Sequence, residues 1–239
     1  MTTFKSTAAF ATTAIALALA GCIDEQRIRE SAERMQAEGA QQYRFHRIRM
    51  LQELRNHVAC CDNLVEIRPH AELSAGRPYQ VTVGVWPNDH VAEFDGFRSY
   101  YAMLSLGGAA SSVVRISLTM TPSLRGFFDP ETKMPAKEFF VPAVTFLDAN
   151  RVRLGSVNTS PVAVLGAFEL KSTVEIPIGA AFVVLHTNRD VLEAAPQPVV
   201  LGTGTSVYPI GPVVLITRSQ PQPVMALPAV TGSVRASLD

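Results

Sequence analysis

FFVPAVTFLDANRVR, residues 139–153, decides how this chain is read. An apolar run stops at Asp148-Ala149-Asn150 and then resumes. Two strand-like runs joined by Asp and Asn make a hairpin corner, because these side chains bond to nearby backbone amides. Asp148 and Asn150 at a loop tip could also hold a sugar hydroxyl. The turn accounts for both without a ligand and is the preferred reading.

Outward from this stretch the texture is the same from about residue 69 onward. Val, Ile, Phe and Thr dominate, and Gly and Pro punctuate. Strands are expected over 79–85, 99–106, 112–120, 139–147, 162–169, 173–176, 180–186, 213–217 and 232–238. In the third run Val114, Ile116, Leu118 and Met120 alternate with other residues, the mark of one buried face. Gly107-Gly108, Asp129-Pro130, Gly202 and Gly204 lie between runs as turns. Short strands without intervening amphipathic helices predict an all-β domain, a β-sandwich of immunoglobulin or jelly-roll type. The Pro-rich tract 196–228 reads as a meandering loop with one strand inside it.

The N-terminus has a different character. MTTFK, with Lys5, precedes the apolar STAAFATTAIALALA, which is shorter than the roughly 20 residues a spanning helix needs. Leu19-Ala20-Gly21-Cys22 then matches a bacterial lipobox, in which Cys22 becomes the acylated first residue. Ile23 follows and Asp24 comes one place later, which suggests sorting to the periplasmic face of the outer membrane. Several acyl chains on one residue anchor stably. Residues 1–21 are thus a lipoprotein signal peptide, 22–68 a helical membrane-proximal stalk and 69–239 the β-sandwich domain. The stalk lacks proline before residue 69 and is rich in helix formers. Gly39 is expected to divide it, and Ile48, Leu51, Leu54 and Val58 form a stripe that should dock, on this domain or on another copy.

Cys60 and Cys61 are adjacent in an oxidising compartment. Their Cα atoms are held about 3.8 Å apart, below the usual disulfide span, so a vicinal bridge would be strained. Bridges to another chain remain open; a metal site with His57 and His70 is the weakest alternative. A covalent kink between stalk and domain comes first.

The function classes narrow by exclusion. Acidic and basic residues balance at 21 each, for a formal net charge of +0, so no basic field points to nucleic acid. There is no G-x-S-x-G, no H-E-x-x-H and no complete dinucleotide fingerprint. No catalytic residue, metal or cofactor is assigned. The best binding candidate is WPNDHVAEFDGF, where Trp86, Asn88, Asp89 and His90 mix an aromatic face with short polar groups. Trp86 as part of the core is the competing reading.

The segments FRSYYAMLSLG, VVRISLTMTP and EFFVPAVTFLDAN, followed by VEIPIGAAFVVLHTNRDVL and GSVRASLD, resemble the maltose-operon periplasmic protein family (MalM-like). The resemblance runs from about Phe97 to the C-terminus. It implies a periplasmic β-sandwich tied to carbohydrate transport, without established catalytic residues. Two departures stand out: the lipobox, and His186-Thr187 where the family has a threonine pair. The expected function is a non-enzymatic accessory to maltose or maltodextrin transport, its partners a membrane and a maltodextrin-like sugar. The alternative is an envelope adaptor whose sandwich binds a protein.

Overall fold

The structure is a computed structural model. It describes residues 7–60, 64–65, 67–85, 90–107, 115–164, 167–202, 205–210, 213–218 and 221–239; residues 7–24, 205–210, 213–218 and 222 are described by backbone alone. The stretch 139–153 is where the chain changes sheets. Phe139 ends β6 (Pro135–Phe139) and Ala143 begins β7 (Ala143–Leu147), which belong to different sheets. The single strand expected over 139–147 is therefore two. Pro142 stands in the gap, where its missing N–H interrupts no ladder. β7 then turns at Asp148 into β8 (Arg153–Asn158), its antiparallel partner.

The sheet holding β7 is centred on β4 (Phe97–Ser105) and β11 (Phe182–His186), with β1 (Ala71–Glu72) and β3 (Val91–Phe94) along the outer edge of β4. The second sheet is built on β5 (Arg115–Phe128), which runs eight residues past its expected end at Met120. The first half of β5 lies between β10 (Leu170–Glu175) and β16 (Gly232–Leu238); the second half pairs with β6. β9 (Val162–Ala163) and β2 (Tyr79–Val83) extend it, and β15 (Gln222–Pro228) runs parallel to β6 with β12 (Gln197–Leu201) beyond. The molecule is thus mostly β, with one long N-terminal helix and two open sheets, consistent with a β-sandwich.

The alternation predicted in β5 places Ile116, Leu118 and Met120 fully inside, while Val114 lies outside the described residues. They share one cluster with Val144 and Phe146 of the first sheet and Val234 of the second. Each such side chain contributes about 1.5–3 kcal/mol of burial. The far face of the first sheet is also covered: Tyr101, Met103 and Val184 pack with Phe94 and Ile67. Arg151 holds this cover down. Its guanidinium donates to the carbonyls of Val65 and Ile67 and lies 5.1 Å from the Phe182 ring centre.

Two expectations about the flanks need correcting. The N-terminal segment is one helix, α1 (Thr7–Asn56), undivided at Gly39. Gly39 instead lies against Phe128: a Cβ there would sit 2.6 Å from the ring, so glycine lets the helix approach this closely. Docking is onto the chain's own domain, through Ala40, Tyr43, Met50, Leu51 and Leu54. Leu51 and Leu54 are in the expected stripe, but Ile48 is 53% and Val58 82% exposed. Next, tract 196–228 is no loop. It holds β12, β13 (Thr205–Ile210), β14 (Val213–Arg218) and β15, paired as an arm of two antiparallel ladders, β12 with β15 and β13 with β14. Pro198 lies in the edge strand β12 and Pro209 in β13 of the two-stranded ladder, strands that each have an unpaired side.

Candidate functional site

Of the binding residues read from the sequence, His90, Asp148 and Asn150 are among the described residues, and His90 stands apart from the other two. Trp86, Asn88, Asp89 and Cys61 lie outside the described residues. His90 is exposed and lies 6.4 Å from the Tyr101 ring, roughly parallel to it. Tyr101 pairs with His186, whereas Leu147, just before Asp148, pairs with Phe182. His90 and Asp148 are therefore five residues apart along this ladder, or about 17 Å. Asp148 is occupied locally: its Oδ1 accepts the Val152 amide at 2.8 Å, and its carbonyl accepts the Arg151 amide. Asn150 is exposed in the same turn. The corner reading describes this carboxylate well.

Cys60 is disulfide-bonded, and its sulfur lies 3.2 Å from the Tyr101 hydroxyl. His70 packs edge-on to Tyr101, and its Nδ1 accepts the Met103 amide at 3.1 Å. His57 packs instead on Tyr100. The two histidines are thus on different rings, and among the described residues no cluster of three potential metal ligands occurs.

A site that the sequence did not suggest forms where α1 meets the second sheet. A cleft of about 530 Å³ opens between the helix and strands β2, β5, β6 and β16. Thr82, Thr121, Ser123, Thr231 and Ser233 line its sheet side with hydroxyls. At one end Arg125 lies 3.3 Å from His46 Nδ1, and His46 Nε2 lies 3.4 Å from Glu138 Oε2. A guanidinium can only donate. His46 Nδ1 is therefore the acceptor, the ring proton sits on Nε2, and it points at Glu138. The imidazole also stacks on Phe127, centroids 5.5 Å apart.

The electrostatics follow from burial. Glu138 is 8% exposed, and its pKa is raised to about 7 by desolvation, against the pull of Arg125 and Arg47. Desolvation also lowers His46, helped by Arg125 and Arg49. Near neutral pH this end of the cleft holds a carboxyl poised between charge states beside a permanent cation. Arg49 pairs with Glu53 at the open rim, 2.7 Å apart. Hydroxyls, a guanidinium and a carboxyl on one concave wall can satisfy a polyhydroxylated ligand. Both ring nitrogens of His46 are engaged, so it is not placed as a free general base. No local motif signals this group, because His46 and Glu138 come from distant elements.

The first sheet holds a second histidine, sealed from solvent. His186 is 3% exposed and stacks flat on Phe94, centroids 3.8 Å apart. Its Nδ1 donates to the Thr187 carbonyl at 2.9 Å, which leaves Nε2 to accept from the Thr145 hydroxyl at 2.9 Å. Ser156 extends the chain, 2.6 Å from Thr145. Burial lowers its pKa to about 4, with the Thr187 bond opposing. The Thr187 backbone amide donates to Ser99, while the Thr187 hydroxyl is buried without a hydrogen-bond partner. Thr187 is followed by Asn188, whose side chain caps α2 (Arg189–Glu193) by accepting the Val191 amide. This network fixes one end of the first sheet and leaves no room for a ligand at His186.

No family model matches the chain, and neither a curated protein nor a solved structure matches it.

Proposed function

We propose that this chain is a non-enzymatic lipoprotein, anchored through Cys22 at the periplasmic face of the bacterial outer membrane and accessory to carbohydrate transport. In this reading it is akin to the maltose-operon periplasmic proteins, with a sandwich of immunoglobulin or jelly-roll type. The cleft beside α1 holds a maltodextrin-like chain. The observation that carries this is the wall of five hydroxyl side chains ending at Arg125, His46 and Glu138. Sugar hydroxyls both donate and accept, and this wall offers both. A His46 committed to its two neighbours supports binding over catalysis.

Calorimetric titration of the protein with a maltodextrin series tests this. Saturable binding that tightens with chain length is expected, and Arg125→Ala should weaken it roughly tenfold through loss of a charged hydrogen bond. A flat response across the series would sink the carbohydrate reading. A second reading, an envelope adaptor for a protein partner, draws on a different observation. Ahead of the docked part of α1, residues 25–38 are largely exposed and form a spacer of about 20 Å. Crosslinking through that stretch would recover the partner if the sugar titration were flat.

A further inference from the structure

Strands β12 to β15 make a projecting arm. Leu201 pairs with Gln222, and four residues further out Thr205 pairs with Arg218, so one register runs through both ladders. The inner ladder is built into the second sheet through β15 and β6. The outer one, β13 with β14, joins no other strand among the described residues. Its two basal pairs, Thr205 with Arg218 and Ser206 with Thr217, are polar or charged. Beyond them come Val207 with Ile216, Tyr208 with Leu215, Pro209 with Val214 and Ile210 with Val213. Successive pairs fall on opposite faces of a ladder, so the outer half is apolar in residue type on both faces. A two-stranded ribbon of this kind is marginal in water.

Its direction follows from register and contact. Along α1, His46 lies against Arg125 and Glu138, Tyr43 against Phe127 and Gly39 against Phe128. Moving along the helix toward Cys22 is therefore moving toward the β5–β6 turn. β15 is parallel to β6, with Met225 opposite Ala136 and Pro228 opposite Phe139. Moving from Met225 to Gln222 and out along the arm goes the same way. Tyr43, Phe127, Ala136 and Met225 share one cluster, which gives both projections a common origin. From there α1 reaches Cys22 after about 32 Å, while the twelve residues from Met225 out to Val213 can span at most about 40 Å. The helix end and the arm tip leave the same end of the domain with similar reach.

We infer that the β13–β14 tip is a second membrane contact, a hairpin that dips into the bilayer to which Cys22 is anchored. This rests on the proposed lipid anchor, which sets where the bilayer lies. Lipid covers both faces of a ribbon at once, whereas a docked protein surface covers one. The strand edges keep unpaired backbone groups, which hydrocarbon does not tolerate, so insertion stops at the headgroup–acyl boundary, about 5–10 Å deep. Tyr208 near the tip and Arg218 at the base are residue types suited to that depth.

The lipidated protein, reconstituted in phosphatidylethanolamine–phosphatidylglycerol vesicles, would carry an environment-sensitive fluorophore at Val213→Cys. A second variant, Leu154→Cys on exposed β8, provides the aqueous control. A blue shift is expected at position 213 only, with quenching by spin label on upper acyl carbons roughly threefold stronger than at position 154. Equal quenching of both sites by aqueous iodide, and none by lipid spin label, would overturn the arm. So would a blue shift that disappears when the protein is diluted in the bilayer, since a second copy would then be the cover. Mass spectrometry of the mature N-terminus reads the anchor separately. Acylated Cys22 with an aqueous position 213 keeps the anchor and sinks the arm. Unacylated Cys22 with lipid quenching at position 213 does the reverse.

Discussion

Glu138 and His186 are both buried ionisable groups, one at the helix seam of the second sheet and one inside the first. Burial is the main force on each, and it pushes their pKa values in opposite directions: Glu138 up to about 7, His186 down to about 4. In both cases burial disfavours the charged form, which leaves His186 neutral and Glu138 poised between its two forms near neutral pH. The difference is access. His186 is enclosed by Phe94, Thr145 and the Thr187 carbonyl, while Glu138 lines an open cleft with Arg125 alongside. The sealed group is committed to architecture, and the open one keeps chemistry available to a ligand.

The largest expected effect is on the acid side. Below pH 6.5 the unfolded chain takes up a proton on histidine that folded His186 refuses until about pH 4. Stability present above pH 6.5 is therefore lost as pH falls through that window, by about 3 kcal/mol. His186→Phe should keep the stack on Phe94 and abolish this loss, at a constant cost of about 1–3 kcal/mol for the broken hydrogen bonds. Urea denaturation from pH 7 to 4 measures both. An acid limb of unchanged steepness in the variant would show that another group causes it.

How much of this contrast could be read in the sequence depends on how far apart the partners lie. The Asp148 corner was legible, because the turn residues and the amide they bind are neighbours. So was the burial of Ile116, Leu118 and Met120, which follows from a period of two. Asp95-Gly96 was equally local: the pair has positive φ at both residues, 52° and 77°, as a two-residue hairpin turn requires. The strands expected from the sequence leave out 86–98, and with it the β3–β4 hairpin. The arm is not legible because prolines usually signal loops, although sheet edges accept them. His46 with Glu138, and His186 with Phe94, are brought together only by sheet pairing and helix docking. No spacing in the chain announces them.

On the alkaline side the order reverses. Folded Glu138 holds its proton up to about pH 7, whereas an unfolded glutamate releases it near 4.5. Stability from this group is complete below pH 4.5 and falls as pH rises to about 7, by at most about 3 kcal/mol. The loss should be smaller than that from His186, since water in the cleft and Arg125 both favour the carboxylate. Glu138→Gln can still accept from His46 and should make the protein more stable at pH 8 than the parent, by about 1–3 kcal/mol, with little change at pH 4.5. Equal denaturation midpoints at pH 8 would mean that the seam is already wet enough to solvate the charge.

The smallest effect probes the boundary between the two regions. Arg153 grips Asp95 through two contacts of 2.6 and 2.8 Å above the sealed histidine. The bond to Arg153 holds the Asp95 carboxyl below the usual range, so its contribution is present at neutral pH and lost on acidification through that lowered value. The two side chains are 42% and 68% exposed, and solvent screening limits the pair to about 0.2–1 kcal/mol. Asp95→Asn keeps a residue that tolerates positive φ and removes the charge alone. Its stability cost should vanish in high salt. The same change reaches His186, because Asp95 raises its proton affinity while Arg153 lowers it. With Arg153 unopposed, the His186 ring should titrate at still lower pH, and an NMR titration of the imidazole would register the shift. An unchanged titration would mean that the ion pair does not act on the ring through the sheet, and that His186 is governed by burial and its own hydrogen bonds.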